Sequence, residues 1–263
     1  MTAAKPRPAP RSPAPKRPPP RVGNGSRPQT PRKFAVTSGR IDGPQKIVLY
    51  GTGGIGKSTL ASLAPKPVIL DIETGTRDLD AHRVEGIESF AELRACLQGT
   101  ALDGFQTVVI DSASKVQELA VAHTLETVKH ENGYHVSSVE GYGFGRGLQF
   151  VYDTFLLLLA DLDRQARKGR NVILVGHRCT DTAPNPEGDD FPRYELDLQS
   201  PRSGKASIRN RVVQWADHVL YLGYDVVAED GKGIGGGTRT IWPNELPHHI
   251  AKSRRIADPI PFT

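Results

Sequence analysis

An α/β fold, a mostly parallel sheet flanked by helices, is predicted by three observations. Short apolar runs recur along the body of the chain and read as strands buried on both faces: "KIVLY" (46–50), "PVIL" (67–70), "TVVI" (107–110), "NVILVG" (171–176) and "HVLYLG" (218–223). Stretches of helical periodicity alternate with them, which implies right-handed crossovers between parallel strands. The first run also opens directly into a glycine-rich loop, "GTGGIGKS", followed by the helix-forming "KSTLASLA".

Each element has its own signal. "SFAELRACLQ" (89–98), "SKVQELAVAHTLETVKH" (114–130) and "LQFVYDTFLLLLADLDRQARK" (148–168) space their apolar residues at helical intervals. Near the C-terminus "YDVVAEDGKGIGGGTRTIW" predicts two strands joined by a glycine-rich turn, a C-terminal β-hairpin, and "HHIAKSRR" follows as a last strand or its exit. Residues 131–147 and 177–207 show no regular period and read as long loops, which in a compact domain are functional or disordered. No internal repeat is present.

Charge divides the chain. Residues 1–33 hold nine Lys/Arg, ten of the 21 prolines and no Asp/Glu, leaving 25 basic against 29 acidic residues in the remainder. The net charge of +5 thus belongs to a tail on a mildly acidic body. The expected organisation is a disordered tail over residues 1–40, with polyproline II character, and one domain over residues 44–263. The tail is a linker or solubility arm, or a polycation that concentrates nucleic acid in a salt-sensitive way. No apolar run approaches the roughly 20 residues that cross a bilayer, and there is no apolar signal core. No membrane partner and a cytoplasmic location are therefore expected. Cys96 and Cys179 match no metal or redox spacing and read as reduced thiols.

"GTGGIGKS" fits G-x-x-x-x-G-K-[ST] in the right strand-to-helix context. Backbone N–H groups of Gly51, Thr52, Gly53, Gly54, Ile55 and Gly56 would turn inward around phosphates, and the start of the helix, with Thr59, would add its dipole. Lys57 would reach the β- and γ-phosphates of ATP, and the Ser58 hydroxyl would ligate Mg²⁺. Asp111, ending the third run, is the expected partner of that magnesium, or else a cap for the next helix. Many ATPases place a water-orienting glutamate straight after this aspartate, but here Ser112 follows. "VILDIETGTRDLD" supplies the alternative: Asp71 and Glu73 lie at the carboxyl end of a neighbouring strand, on the edge where ligands bind. Glu73 is the candidate base and Asp71 an auxiliary, although the same cluster could simply start a helix.

The order "GTGGIGKST", "LDIETGT", "VVIDS", "VILVGH" resembles the RecA-type recombinase core, and more closely the compact phage nucleotide-binding proteins of the Sak type. The likeness spans residues 44–263. It implies a RecA-like ATPase that supports single-strand annealing or recombination, a catalytic role for Glu73, and a homo-oligomer with ATP between protomers. Single-stranded DNA and a single-strand binding protein are the implied partners, in the cytoplasm of an infected bacterium. His177 falls where such proteins carry a polar sensor, or is a loop histidine. "AKSRR" is similar to the family's basic stretch, so Lys252 and Arg254 would reach a neighbour's ATP, or are surface charges. Two departures stand out: "VGH" replaces the usual Asn-Gln pair, and the extra DNA-binding domains of long recombinases are missing.

Cations and aromatic faces on loops hold single strands without sequence preference. The 131–147 loop offers Tyr142, Phe144 and Arg146, and the 177–207 loop offers Arg178, Arg193, Tyr194, Arg202 and Lys205. Both are expected to follow strands and rise at the ligand edge. A helicase-like motor, a replication loader, a small-molecule kinase and an ATP-switched binding protein are the competing functions.

Overall fold

The computed structural model describes residues 36–39, 41–203, 205–229 and 232–262. The chain divides into two units, Met1–Ile41 and Asp42–Thr263. In the first, residues 36–39 and 41 are described and form no helix or strand; the expected tail otherwise lies outside the described residues. All elements belong to the second unit.

In chain order these are β1 (Lys46–Gly51), α1 (Lys57–Ser62), β2 (Pro67–Asp71), β3 (His82–Val84), α2 (Phe90–Gln98), β4 (Thr107–Asp111), α3 (Ala113–Thr127), α4 (Arg146–Arg167), β5 (Asn171–Ala183), β6 (Phe191–Leu196), α5 (Ile208–Trp215), β7 (His218–Glu229), β8 (Lys232–Trp242) and β9 (Ile260–Phe262). The sheet order is β3-β2-β4-β5-β1-β7-β8-β9, with β6 paired to β5. Along β3-β2-β4-β5-β1-β7 the strands run parallel, while β8, β9 and the off-path β6 are antiparallel additions. The five apolar runs all form strands here, and the C-terminal hairpin is β7–β8.

Two apolar layers sandwich the sheet. Val48, Tyr50, Leu70, Ile110, Leu174 and Tyr221 face the larger one, packed by α2 to α5. Leu49, Ile69, Val109, Val175 and Leu222 face a smaller one with Ile55 and Ala61 of the α1 region. Alternate residues of the same strands serve opposite layers, which is why these strands read as unbroken apolar runs. Helix starts are chemically marked. Ser89 and Glu92 form a capping box on α2, and the Ser207 hydroxyl accepts the Asn210 N–H (3.1 Å) at the start of α5. The buried Asp161 of α4 accepts from Arg94 (2.7 Å) and Gln98 (3.1 Å), tying α4 to α2.

Both long irregular segments differ from expectation. β5 continues through Ala183 and forms an antiparallel hairpin with β6, so much of 177–207 is sheet, and its last residue, Ser207, caps α5. The alternation of "RCTDT" and "PRYEL" signals strands, but Pro, Asp and Gly between them mask it. Residues 131–147 follow α3 rather than a strand, contain a 3-10 turn at Val139–Tyr142, and run into the first two residues of α4. "HHIAKSRR" forms only isolated bridges, such as Val219 with Lys252, and the last strand is β9.

Candidate nucleotide site

The site is set by strand register. β1 lies between β5 and β7, with Gly51 opposite both His177 and Leu222. A side chain at Gly51 would place its Cβ 2.2 Å from the Leu222 carbonyl oxygen, so the chain can enter the loop only through glycine. Gly56 precedes α1 with φ of 100°, a conformation costly for any residue with a side chain. A Cβ there would also meet Arg239 at 2.8 Å and Phe262 at 2.9 Å. Arg239 buttresses the loop from behind: it donates to the Ile55 carbonyl (2.9 Å) while its guanidinium lies over the Phe262 ring (4.6 Å).

Next to this loop is a cavity of about 310 Å³ whose walls include Gly53, Lys57, Ser58, Glu73, Asp111 and His177. β2 and β4 are parallel with Asp71 opposite Asp111, so their carboxyl ends finish level. The Asp111 carbonyl accepts from both the Ile72 N–H (2.9 Å) and the Glu73 N–H (3.2 Å), which fixes where β2 exits. Asp71 is buried and turned away from the cavity. Its carboxylate accepts from Gly75 N–H (3.0 Å), Thr76 N–H (3.1 Å) and the Thr76 hydroxyl (2.6 Å), and so holds the turn that presents Glu73. It starts no helix.

The Glu73 carboxylate has two partners. The buried Ser112 hydroxyl donates to it, and His177 Nε2 lies 3.2 Å away. Ser112 thus occupies the sequence position where many ATPases carry the glutamate, and here supports a glutamate from the adjacent strand. The signal was present in the sequence as a departure, but its geometry was not. Lys57 donates to the Thr52 carbonyl (2.8 Å). Burial lowers its pKa, opposed by the negative charge of Asp111 and Glu73. Burial raises the pKa of Asp111, opposed first by the hydroxyl of Ser58, which donates to its carboxylate.

A magnesium ion fits this donor set. It takes hard oxygen ligands, and sites built for it use one or two carboxylates, water and phosphate rather than a closed protein cage. Ser58 and Asp111, already in contact, supply that partial set.

The family model described as an AAA domain, AAA_24, matches residues 43–255. The chain belongs to the AAA_24 family. This AAA domain carries the P-loop ATPase core of its class, in an α/β sheet flanked by helices. It is 24% identical over 214 residues to the SPbeta prophage-derived uncharacterized protein YorG of Bacillus subtilis (strain 168), covering 79% of this chain. It spans 58% of that protein's length. A KaiC-like protein, PH0186, from Pyrococcus horikoshii OT3 is a structural relative at 15% identity and a TM-score of 0.44, over 84% of this chain and 86% of that one.

The remaining candidate residues are scattered. Lys252 is bridged to Val219, which lies level with Val48, three residues before the P-loop begins, so it does not line its own phosphate cavity. Arg254 is exposed. Among the strand-binding candidates, Tyr142 must be withdrawn. It is 2% exposed, packed on Phe150, and its hydroxyl donates to the Val128 carbonyl (2.7 Å), so no base can stack on it. Arg193 is held between Glu195 and Glu245, which removes its charge from any phosphate. Arg146 pairs with Glu131. Phe144 is fully exposed, and Arg202 and Lys205 face solvent. Arg178 and Tyr194 are not on a loop at all but on the β5–β6 hairpin, with the guanidinium 3.9 Å above the ring centre. Among the described residues no helix is long and apolar enough to cross a membrane, and no cluster of three or more His, Cys, Asp or Glu is placed to hold a metal. Cys96 and Cys179 are free.

Proposed function

We propose that the chain hydrolyses ATP, with Glu73 as the base, and acts on single-stranded DNA in phage recombination or annealing. One observation carries the hydrolytic reading: the Glu73 carboxylate shares a cavity with Lys57, Ser58 and Asp111, and two side chains orient it. Ser58 and Asp111 would hold Mg²⁺, which supplies charge neutralisation at the phosphates. Lys57 donates to the β- and γ-phosphate oxygens, and loop N–H groups complete the cradle. Glu73 accepts a proton from water as the water oxygen attacks the γ-phosphorus, and the bond to the bridging oxygen breaks with its electron pair leaving on ADP. His177, the last β5 residue level with β1, contacts the same carboxylate and helps to orient it.

The exposed Phe144 ring and the exposed cations Arg202 and Lys205 support a nucleic-acid partner, as does the polycationic tail. Lys252 and Arg254, set apart from their own cavity, suit action on a neighbour's ATP in a homo-oligomer. The prophage-derived relative favours a phage setting, in the host cytoplasm. A small-molecule kinase needs no base just beyond β2, so Glu73 weighs against that alternative.

Phosphate release measured with and without a single-stranded oligonucleotide tests the reading. Glu73→Gln should bind ATP as the parent does and lose about 10²- to 10⁴-fold in turnover, the span of general-base catalysis. Full turnover in Glu73→Gln would remove the base, and turnover stimulated by a nucleoside acceptor instead of DNA would establish the kinase.

A further inference from the structure

A second cavity, about 750 Å³, also borders the P-loop, with Thr52 and Ile55 in its wall. Its volume is well inside the roughly 300–1,000 Å³ of small-molecule sites. Its lining is unusual for a surface cleft: Arg178, Tyr194, Tyr221, Tyr224 and Trp242 all contribute. Arg178 lies over Tyr194, which stacks on Tyr221 (centroids 5.8 Å apart, 25° between planes), and Tyr221 stacks in turn on the buried His249 (4.6 Å, 24°). The rings are therefore held in place by their neighbours rather than free to turn. Four elements build this wall: β5, β6, β7 and β8.

The chemistry of the lining selects a ligand. Flat faces favour a planar ring, and Asp225 in the wall can accept an N–H from its edge. Arg178 donates to the Tyr221 hydroxyl (3.3 Å), and the titratable neighbours acting on it among the described residues are tyrosines, not carboxylates. Its charge is thus available to an anion beside the ring. A planar ring that offers edge N–H groups and carries a phosphate is a nucleotide unit.

We propose that this cavity binds one nucleobase, with the adjoining phosphate against Arg178, as a site separate from the ATP cavity. It rests on the strand-binding reading to the extent that the base comes from a nucleic-acid strand; a free mononucleotide presents the same chemistry. The site is formed by sheet residues, so it differs from the mobile-loop contacts expected from sequence.

Trp242 lines the cavity and Trp215 is the chain's other tryptophan, buried against the helix layer. Tryptophan fluorescence of the full-length protein, titrated with oligothymidylate and separately with thymidine monophosphate, tests the proposal. Anisotropy of a labelled oligothymidylate is followed in parallel. Saturable quenching is expected, weakened about tenfold in Tyr224→Ala, within the roughly 5- to 150-fold span of a lost base–aromatic stack, and to a similar degree in Arg178→Ala, which loses the charge facing the phosphate. Tyr224 is 46% exposed, so its replacement leaves the core in place. Quenching by the oligonucleotide alone assigns the base to a strand. Quenching by the mononucleotide without oligonucleotide binding keeps the cavity and removes the strand reading. Oligonucleotide binding without quenching, or quenching equal in parent and both variants, overturns the site while leaving the strand reading intact.

Discussion

Ser112→Ala separates the two jobs of one hydroxyl. Ser112 is fully buried; its hydroxyl donates to Glu73 and accepts the Lys115 N–H (3.4 Å) as the cap of α3. Losing the cap costs about 1 kcal/mol of stability. Losing the bond to a charged partner is worth roughly 1.5–3 kcal/mol in full. His177 at 3.2 Å still holds the carboxylate, so about half of that reaches the barrier. About 1.4 kcal/mol corresponds to a tenfold fall in kcat. KM should not change, because Ser112 does not line the phosphate cavity. The decisive assay is a double-mutant cycle on steady-state phosphate release. In a Glu73→Gln background the same substitution should lower the residual rate less than twofold, since the group it positions is gone. The loss of stability, read from urea unfolding, should persist in both backgrounds. A tenfold loss of kcat in the Glu73→Gln background would show that Ser112 acts elsewhere and would refute the reasoning.

Two further outcomes follow. Asp71→Asn should lower stability by roughly 2 kcal/mol, since an amide presents a donor to one of three donors now satisfied by the carboxylate, and should also slow turnover by loosening the turn before Glu73; calorimetry and phosphate release check both. His249 is covered, donates through Nε2 to the Asn244 carbonyl (3.1 Å), leaves Nδ1 without a partner, and faces His248 and the Tyr221 ring; burial pushes its pKa down from 6.5 to about 4. The unfolded chain takes up the proton first, so stability is full above pH 6.5 and is lost as pH falls toward 4. That amounts to about 2 kcal/mol once screening near the exposed His248 is allowed for. Urea midpoints at pH 7 and 4.5 should show this loss in the parent and not in His249→Asn.

The core of the sheet was legible because strands buried on both faces leave uninterrupted apolar runs, and "TVVID" or "PVILD" can hardly be anything else. The P-loop was legible because its glycines answer a backbone requirement that no other residue meets at Gly51 and Gly56. β6, β3 and β9 were not, because short edge strands carry polar residues on their open side and proline or aspartate beside them. The tyrosine cavity was invisible for a different reason. Its walls come from residues as distant as Thr52 and Trp242, and only the pairing of β1 with β5 and β7, and of β7 with β8, brings them together.

Glu73 shows how far linear reasoning reaches. Two parallel strands that end level place their following residues side by side, so a carboxylate two positions beyond β2 can serve a cavity whose metal-side aspartate ends β4. That inference needs only the direction of the strands and the edge on which ligands sit. What it omits is support. A carboxylate on an exit turn is mobile unless something grips it, and in this fold the grip is distributed: the Asp111 carbonyl on its backbone, Asp71 on the turn beyond, Ser112 and His177 on the side chain itself. Three of those four groups are polar residues at strand ends, where sequence alone cannot distinguish a helix cap from an active-site clamp, because the same hydroxyl can be both. Ser112 is both.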